Sequence, residues 1–331
     1  MSRSSYVDAR EAMRLCSLPS NQALGETLTS LADEDEDLTV VVSDYGRRLF
    51  LDGLVERHPE SFVQVGIAEQ DQVSIGAALA LEGFPVFAPC YASFVASRAF
   101  DQIRVNLGMM GAPLVLVGLS AGYDSADLGA SHCATEDVAL MRSIPTATVI
   151  APADNAELAS AIRWLAAHPR PAYVRITGSM TETCLHASGC DVSSDGVTQL
   201  REGSDVALVA CGQLAAAALE AADILETTDI SASVTEMAIV SPLREDVLLH
   251  AIRGKRLVVT VEEHGVVGGL GSAVAEVLAA RDDVPPLLAH GTPRSYLDGG
   301  DVRQELLTHD GLDPWGIASR VLERLERSKK R

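Results

Sequence analysis

The chain has 331 residues, a length that accommodates two domains of ordinary size, each with its own core. Apolar residues make up 47% and charged residues 22%, a balance that excludes disordered, collagen-like and coiled-coil chains. Acidic side chains outnumber basic ones 46 to 26, and the net charge of -20 repels phosphate backbones and anionic lipid, which argues against nucleic acid and membrane as partners.

The first fourteen residues contain no apolar leader, and the longest apolar stretch, 206–225, is interrupted by Gln213 and Glu220. Neither a signal peptide nor a membrane-spanning helix is expected, and the chain reads as cytoplasmic. Six cysteines, Cys16, Cys90, Cys133, Cys184, Cys190 and Cys211, lie far apart without a CxxC pair. They read as reduced thiols with no zinc site.

Runs rich in β-branched residues at 38–43, 62–65, 113–119, 147–150 and 172–176 are apolar on both faces, as strands of a covered parallel sheet must be. Helical patterns lie between them at 69–81, 91–110, 136–143 and 155–168. Over 179–205 the composition turns to Ser, Thr, Gly, Asp and Cys, which reads as a linker carrying an edge strand. A second alternation follows, with strands at 206–210, 232–237 and 256–262 and helices at 214–225, 244–252 and 271–280, before an amphipathic helix at 313–325. The fold class is therefore α/β: two successive three-layer α/β/α domains with mostly parallel sheets, over 1–180 and 204–331, joined by a linker at 181–203.

Four stretches stand above this background. Val63-Gln64-Val65-Gly66-Ile67-Ala68-Glu69-Gln70 runs from a strand through a glycine into a helix, placing the Glu69 carboxylate at the carboxyl end of a strand, where open α/β sheets bind ligands. The helix dipole alone also favours an acid there, by about 0.3–1 kcal/mol. The helix that follows is small and apolar all round, which predicts a fully buried element. Tyr91 and Phe94, three residues apart, share a helical face and could clamp a flat ring or simply fill the core. His132, in Gly129-Ala130-Ser131-His132, precedes a helix and could move protons near neutral pH, or be merely hydrogen-bonded. The other histidines outside these stretches, His58, His168, His186, His250, His290 and His309, stand beside charged or turn residues and read as surface. Finally, Glu262-Glu263-His264 and the glycines up to Gly271 lack both the dinucleotide-binding and the phosphate-loop spacing, and read as a tight packing or subunit-contact loop.

In this order and at these separations the stretches resemble the C-terminal half of transketolases, and most of all the separately encoded C-terminal subunit of split bacterial transketolases. The resemblance runs from about Val40 to Ala279. It rests on Gly66-Ile67-Ala68-Glu69-Gln70, Arg98-Ala99-Phe100-Asp101-Gln102-Ile103-Arg104, Gly129-Ala130-Ser131-His132 with Glu136-Asp137, Ala151-Pro152-Ala153-Asp154, and Thr260-Val261-Glu262-Glu263-His264. It implies a pyrimidine-binding domain followed by a transketolase C-terminal domain, thiamine diphosphate as cofactor, and transfer of a two-carbon ketol unit from a ketose to an aldose. It further implies that Glu69 hydrogen-bonds the pyrimidine and promotes its proton chemistry, that Tyr91 and Phe94 contact the ring, that His132 faces the reacting carbon, and that Asp44 lies near the cofactor. Such enzymes bind Mg2+ through a Gly-Asp-Gly segment, which is absent from this chain. The resemblance therefore implies no metal ligands here, and a partner N-terminal subunit supplying the diphosphate and Mg2+ site in an α2β2 heterotetramer. Leu128, Cys133, Ser120 and Gly178 depart from the family pattern where sugar phosphates are handled, which points to an unusual donor or acceptor. The alternative reading is a β subunit of a 2-oxoacid dehydrogenase or acetoin-type enzyme.

Overall fold

In the computed structural model, residues 5–44, 46–178, 183–193, 196–297 and 302–329 are described. Two sheets organise them. The first has seven strands in the order Ile239–Ser241, Thr148–Ile150, Ala172–Arg175, Val115–Leu119, Val86–Tyr91, Thr39–Val42 and Phe62–Gln64. All neighbours in it are parallel except the first pair. The second has five strands, in the order Leu287–Thr292, Leu257–Gly265, Val206–Ala210, Ala232–Met237 and Val197–Arg201, with only the last pair antiparallel. Two mostly parallel α/β sheets are thus the architecture, as the alternating pattern predicts. The edge strand expected in the linker is Val197–Arg201, whereas the boundary expected at 180/181 lies outside the described residues.

Strand side chains alternate between two buried faces, which is why these runs carry no polar period. Val40 and Val42 pack into one core while Val41 packs into the other, and Val115 and Val117 oppose Leu114 and Leu116 in the same way. In the second sheet Val206, Leu208 and Ala210 enter a third core. Ala207 and Val209 face the core that also holds Val41 and Leu116, so one apolar layer is continuous between the sheets.

Packing here leaves little slack. A Cβ added at Gly118, in the Val115–Leu119 strand, would meet the Tyr173 hydroxyl at 2.0 Å, and that hydroxyl donates to buried Asp137 at 2.7 Å. Gly118→Ala is expected to displace the ring and cost about 1–3 kcal/mol of stability, measured as a lowered thermal midpoint.

Three expectations need correction. Cys16 and Cys184 are bonded, with Cα atoms 5.6 Å apart, so six free thiols is wrong for that pair. Helix Ala9–Cys16 and the 184–190 segment both pack on helix Asn155–Ala167, in a small cluster that brings residues 168 apart in sequence together. Cys90, Cys133 and Cys211 are free and buried, and Cys190 is free and half-buried. His186 and His290 are buried rather than surface residues, because each finds a distant acceptor: Asp154 for His186 and the Gly311 carbonyl, at 2.6 Å, for His290. The single helix expected over 91–110 is broken. Tyr91 ends the Val86–Tyr91 strand, Ala92–Arg98 and Phe100–Ile103 are separate helices about Ala99, and Arg104–Met109 is a wider-wound turn.

Candidate active site

Beyond the Phe62–Gln64 strand the chain turns at Gly66, whose φ of +86° favours glycine, and enters helix Glu69–Leu81. Glu69 therefore stands in the first helical turn at the carboxyl edge of the parallel sheet. It is only 3% exposed. Its Oε2 accepts from Arg98 Nη1 at 2.7 Å, and no hydrogen bond from the described residues goes to Oε1. One turn on, buried Gln72 donates to the carbonyls of Val41 and Pro89 at 2.8 and 3.0 Å, tying the helix start to two strands.

Tyr91 ends the Val86–Tyr91 strand, two positions along the same sheet edge, and Phe94 lies on the helix that follows it; their ring centroids are 5.6 Å apart in an edge-to-face arrangement. Gly129, at φ +86°, leads into the short turn Ala130–His132. The imidazole of His132 completes the group, 5.7 Å from Tyr91 and 5.2 Å from Phe94. Arg98 joins the aromatic group to the acid: its guanidinium lies over the Phe94 ring at 4.6 Å while it holds Glu69. Arg98 carries no role in the sequence reading, although its i,i+4 spacing from Phe94 is the signal that would reveal it. Asp44 is exposed just past the end of the Thr39–Val42 strand, and like Glu69 it acts on Cys90, whose thiol burial pushes up to about 12.

Helix Glu69–Leu81 is not buried all round. Gln70, Asp71, Ser74, Ile75, Ala78 and Leu81 are exposed. Its Gly and Ala residues read as apolar on every side, but only the face bearing Val73, Gly76, Ala77 and Ala80 meets the core. Ile67, 74% exposed, and Met109, 71% exposed, add to the uncovered apolar surface. The cavities of about 180–210 Å³ elsewhere in the chain include none of Glu69, Tyr91, Phe94 or His132. Glu69 is buried, and Tyr91, Phe94 and His132 are each half-buried.

Behind the site the two sheets meet at a buried polar joint. Arg175 Nε donates to Asp137 Oδ2 at 2.9 Å, and its other nitrogens reach Thr177 Oγ1 and the carbonyls of Ala134 and Glu263. His264 accepts from the Ala139 amide at Nε2 and donates from Nδ1 to the Gly265 carbonyl, and burial pushes its pKa down to about 4. Glu262 accepts the Leu270 and Gly271 amides at 2.6 and 2.7 Å, satisfying the start of helix Leu270–Ala279. Burial pushes that carboxyl up to about 7 against these bonds. The glycine-rich loop is thus tight packing within the chain: a Cβ at Gly269 would sit 2.0 Å from Glu262 Oε2.

Residues 17–182 match the family model "Transketolase, pyrimidine binding domain", and residues 195–297 match "Transketolase, C-terminal domain". The chain belongs to the transketolase family. A Methanocaldococcus jannaschii protein provisionally named as a transketolase C-terminal section is 35% identical over 92% of this chain and 95% of its own length. An apulose-4-phosphate transketolase subunit from Phocaeicola vulgatus is 30% identical over 90% of this chain and 95% of its own length. A solved split-gene transketolase, described as an inactive β4 tetramer, superposes with a TM-score of 0.84 at 34% identity, covering 92% of this chain and 98% of that one. Against 1-deoxy-D-xylulose-5-phosphate synthase from Bordetella petrii, 33% identical, the chain spans about half the relative's length.

This is therefore a C-terminal subunit of a split, thiamine-diphosphate-dependent, transketolase-like transferase. These relatives favour that reading over a 2-oxoacid dehydrogenase subunit. Among the described residues of this transketolase subunit no helix is long and apolar enough to cross a membrane. The residues present fit the flat aminopyrimidine end of thiamine diphosphate, since a buried carboxylate with one oxygen unbonded among the described residues stands with two aromatic rings at the carboxyl edge of one sheet. Where the family pattern is broken, Leu128 is 51% exposed and Cys133 is buried with its thiol pushed up to about 11. Arg175, on the strand that leads to Gly178, is committed inward to Asp137.

Proposed function

We propose that this chain provides the pyrimidine half of an active site, shared between two chains, that moves a two-carbon ketol unit from a ketose to an aldose. Bound thiamine diphosphate supplies the carbanion chemistry of that transfer. Glu69 exchanges a proton with the pyrimidine at Oε1, and Arg98 fixes the carboxyl through Oε2. Tyr91 and Phe94 present ring faces that exclude water beside the acid, Asp44 flanks them, and His132 holds a substrate hydroxyl or moves its proton. The single observation that carries this reading is the buried Glu69 carboxylate, in a helix's first turn at the carboxyl edge of the sheet, whose Oε1 takes no hydrogen bond among the described residues.

Mg2+ and the diphosphate belong, on this proposal, to a partner N-terminal subunit that carries Gly-Asp-Gly, in an α2β2 heterotetramer. The exposed Ile67, two residues before Glu69, and Ile75 on the helix that Glu69 starts support such an assembly, because exposed apolar groups by a polar site mark interaction surfaces. The inward commitment of Arg175 and the exposed Leu128 support a donor or acceptor outside the ordinary sugar phosphates.

The test is reconstitution. The chain mixed with its Gly-Asp-Gly partner, thiamine diphosphate and Mg2+ is expected to transfer the two-carbon unit, with an unphosphorylated acceptor used at least as well as its phosphate ester. Neither chain alone is expected to turn over. Full activity of this chain alone overturns the two-chain reading, and acyl transfer to lipoamide would replace the ketol reading.

A further inference from the structure

A second buried cluster, sharing no residue with the Glu69 site, sits where the two sheets and the linker converge. Glu157 lies on helix Asn155–Ala167, Glu236 on the Ala232–Met237 strand, and His186 in the segment between the domains. One ligand atom from each lies within 4.8 Å of the others, and all three residues are buried. Around the ring of contacts, some donor atoms are committed and others are left over.

Asp154, which caps helix Asn155–Ala167 by accepting the Glu157 amide, also accepts the backbone amide and Nδ1 of His186, at 2.8 and 3.1 Å. Nε2 shares a hydrogen bond with Thr198 Oγ1 at 3.2 Å, which an ion would replace, and lies 3.8 Å from Glu157 Oε1. Glu157 commits Oε2 to the Ala153 amide at 2.8 Å, which aims Oε1 into the cluster. Glu236 is wholly buried, and as a carboxylate neither of its oxygens has a donor among the described residues; only a proton shared with Glu157 could bond it. A buried carboxylate left in that state is costly unless it is neutralised or ligates a cation.

We propose that Glu157, His186 and Glu236 form a binding site for one divalent cation of the zinc class, pinning the linker and the second sheet to helix Asn155–Ala167. One imidazole with two carboxylates is a ligand set that zinc accepts, with the fourth position taken by water. A carboxylate on the far nitrogen of the histidine is the arrangement that fixes the tautomer of metal-binding imidazoles, and Asp154 supplies it. A cavity of about 210 Å³, lined by Glu157, His186 and Thr198, gives room for that water and a route inward. Two ionised glutamates balance the charge of the ion. Without it the cluster has to hold protons instead: burial and the neighbouring acids push Glu236 well up, and Glu157 and Asp154 outweigh burial to hold His186 up at about 9. Binding would displace those protons. Cys16 and Cys184, which also approach Asp154, are bonded to each other and are not ligands. The three ligands come from separate elements, so no spacing motif in the sequence announces them, and the site departs from the expectation that this chain holds no metal.

The test uses the full-length chain stripped with a chelator. Titration with Zn2+ is expected to load one ion per chain, to raise the Tm, and with Co2+ in its place to give the visible absorption of a low-coordinate site. Glu236→Gln keeps the shape and removes the ionisable ligand oxygen. It is expected to fold with a metal-free Tm at or above that of the unaltered chain, yet to bind Zn2+ at least 100-fold more weakly and lose the Tm rise. His186→Gln gives a second measure of the same loss. Absence of stoichiometric Zn2+ binding, or equal affinity in Glu236→Gln, overturns the proposal and leaves a proton-sharing cluster only.

Discussion

Replacing Glu69 with glutamine is expected to lower turnover of the reconstituted enzyme by about 10²–10⁴-fold, the range for loss of a positioned acid–base group, with assembly unchanged. Glutamine matches the shape of the buried side chain and can still accept from Arg98 through its carbonyl, so the helix start and the Arg98–Phe94 contact should survive. What disappears is the exchangeable proton at the other oxygen. The pair itself adds little stability, because Arg98 is 46% exposed and water screens it. A steep fall in kcat with an unchanged elution volume and circular dichroism spectrum therefore separates chemistry from folding. Turnover equal to that of the unaltered enzyme would remove Glu69 from the mechanism, whatever its position.

The strands are legible in the sequence because two-sided burial strips them of polar residues, as in Val206–Ala210, every residue of which is buried. Glu69 is legible because a strand, a glycine and a helix start follow one another within a few residues. Helix Glu69–Leu81 misleads for a related reason: Gly76, Ala77, Ala78 and Ala80 are small enough to suit either solvent or core, so composition cannot orient the helix. Contacts that close over long sequence separations leave no trace. His186 turns inward because Asp154 waits 32 residues away, and Cys16 meets Cys184 across 168 residues. Tyr91 reads as helical because nothing local says that the Val86–Tyr91 strand runs on to pair Tyr91 with Leu119.

The joint between the sheets shows the same limit, with larger energetic consequences. Asp137 sits in the first turn of helix Asp137–Arg142, where a dipole argument suffices to explain an acid. Its side chain is nevertheless fully buried and depends on Arg175, 38 residues later, and on the Tyr173 hydroxyl. Through the same guanidinium the first sheet grips the carbonyls of Ala134, beside the His132 turn, and of Glu263, in the second sheet.

Arg175→Leu is accordingly expected to be the most damaging single substitution for stability. It leaves Asp137 buried with one neutral donor in place of a cation, a loss of about 3–5 kcal/mol, and a fall in Tm on the order of 10 °C for a chain of this size. The penalty comes mainly from the stranded charge rather than from the missing attraction, so a second change should restore part of the loss. Asp137→Asn in the Arg175→Leu background keeps an acceptor for the Tyr173 hydroxyl and removes the charge. The double variant should therefore be more stable than Arg175→Leu alone, with a coupling between the two positions of about 0.5–3 kcal/mol or more. Thermal unfolding of the four chains at neutral pH measures it. Additive losses would mean that Asp137 is neutralised without Arg175, and the joint would then have to be held by Glu262, His264 and the apolar layer alone.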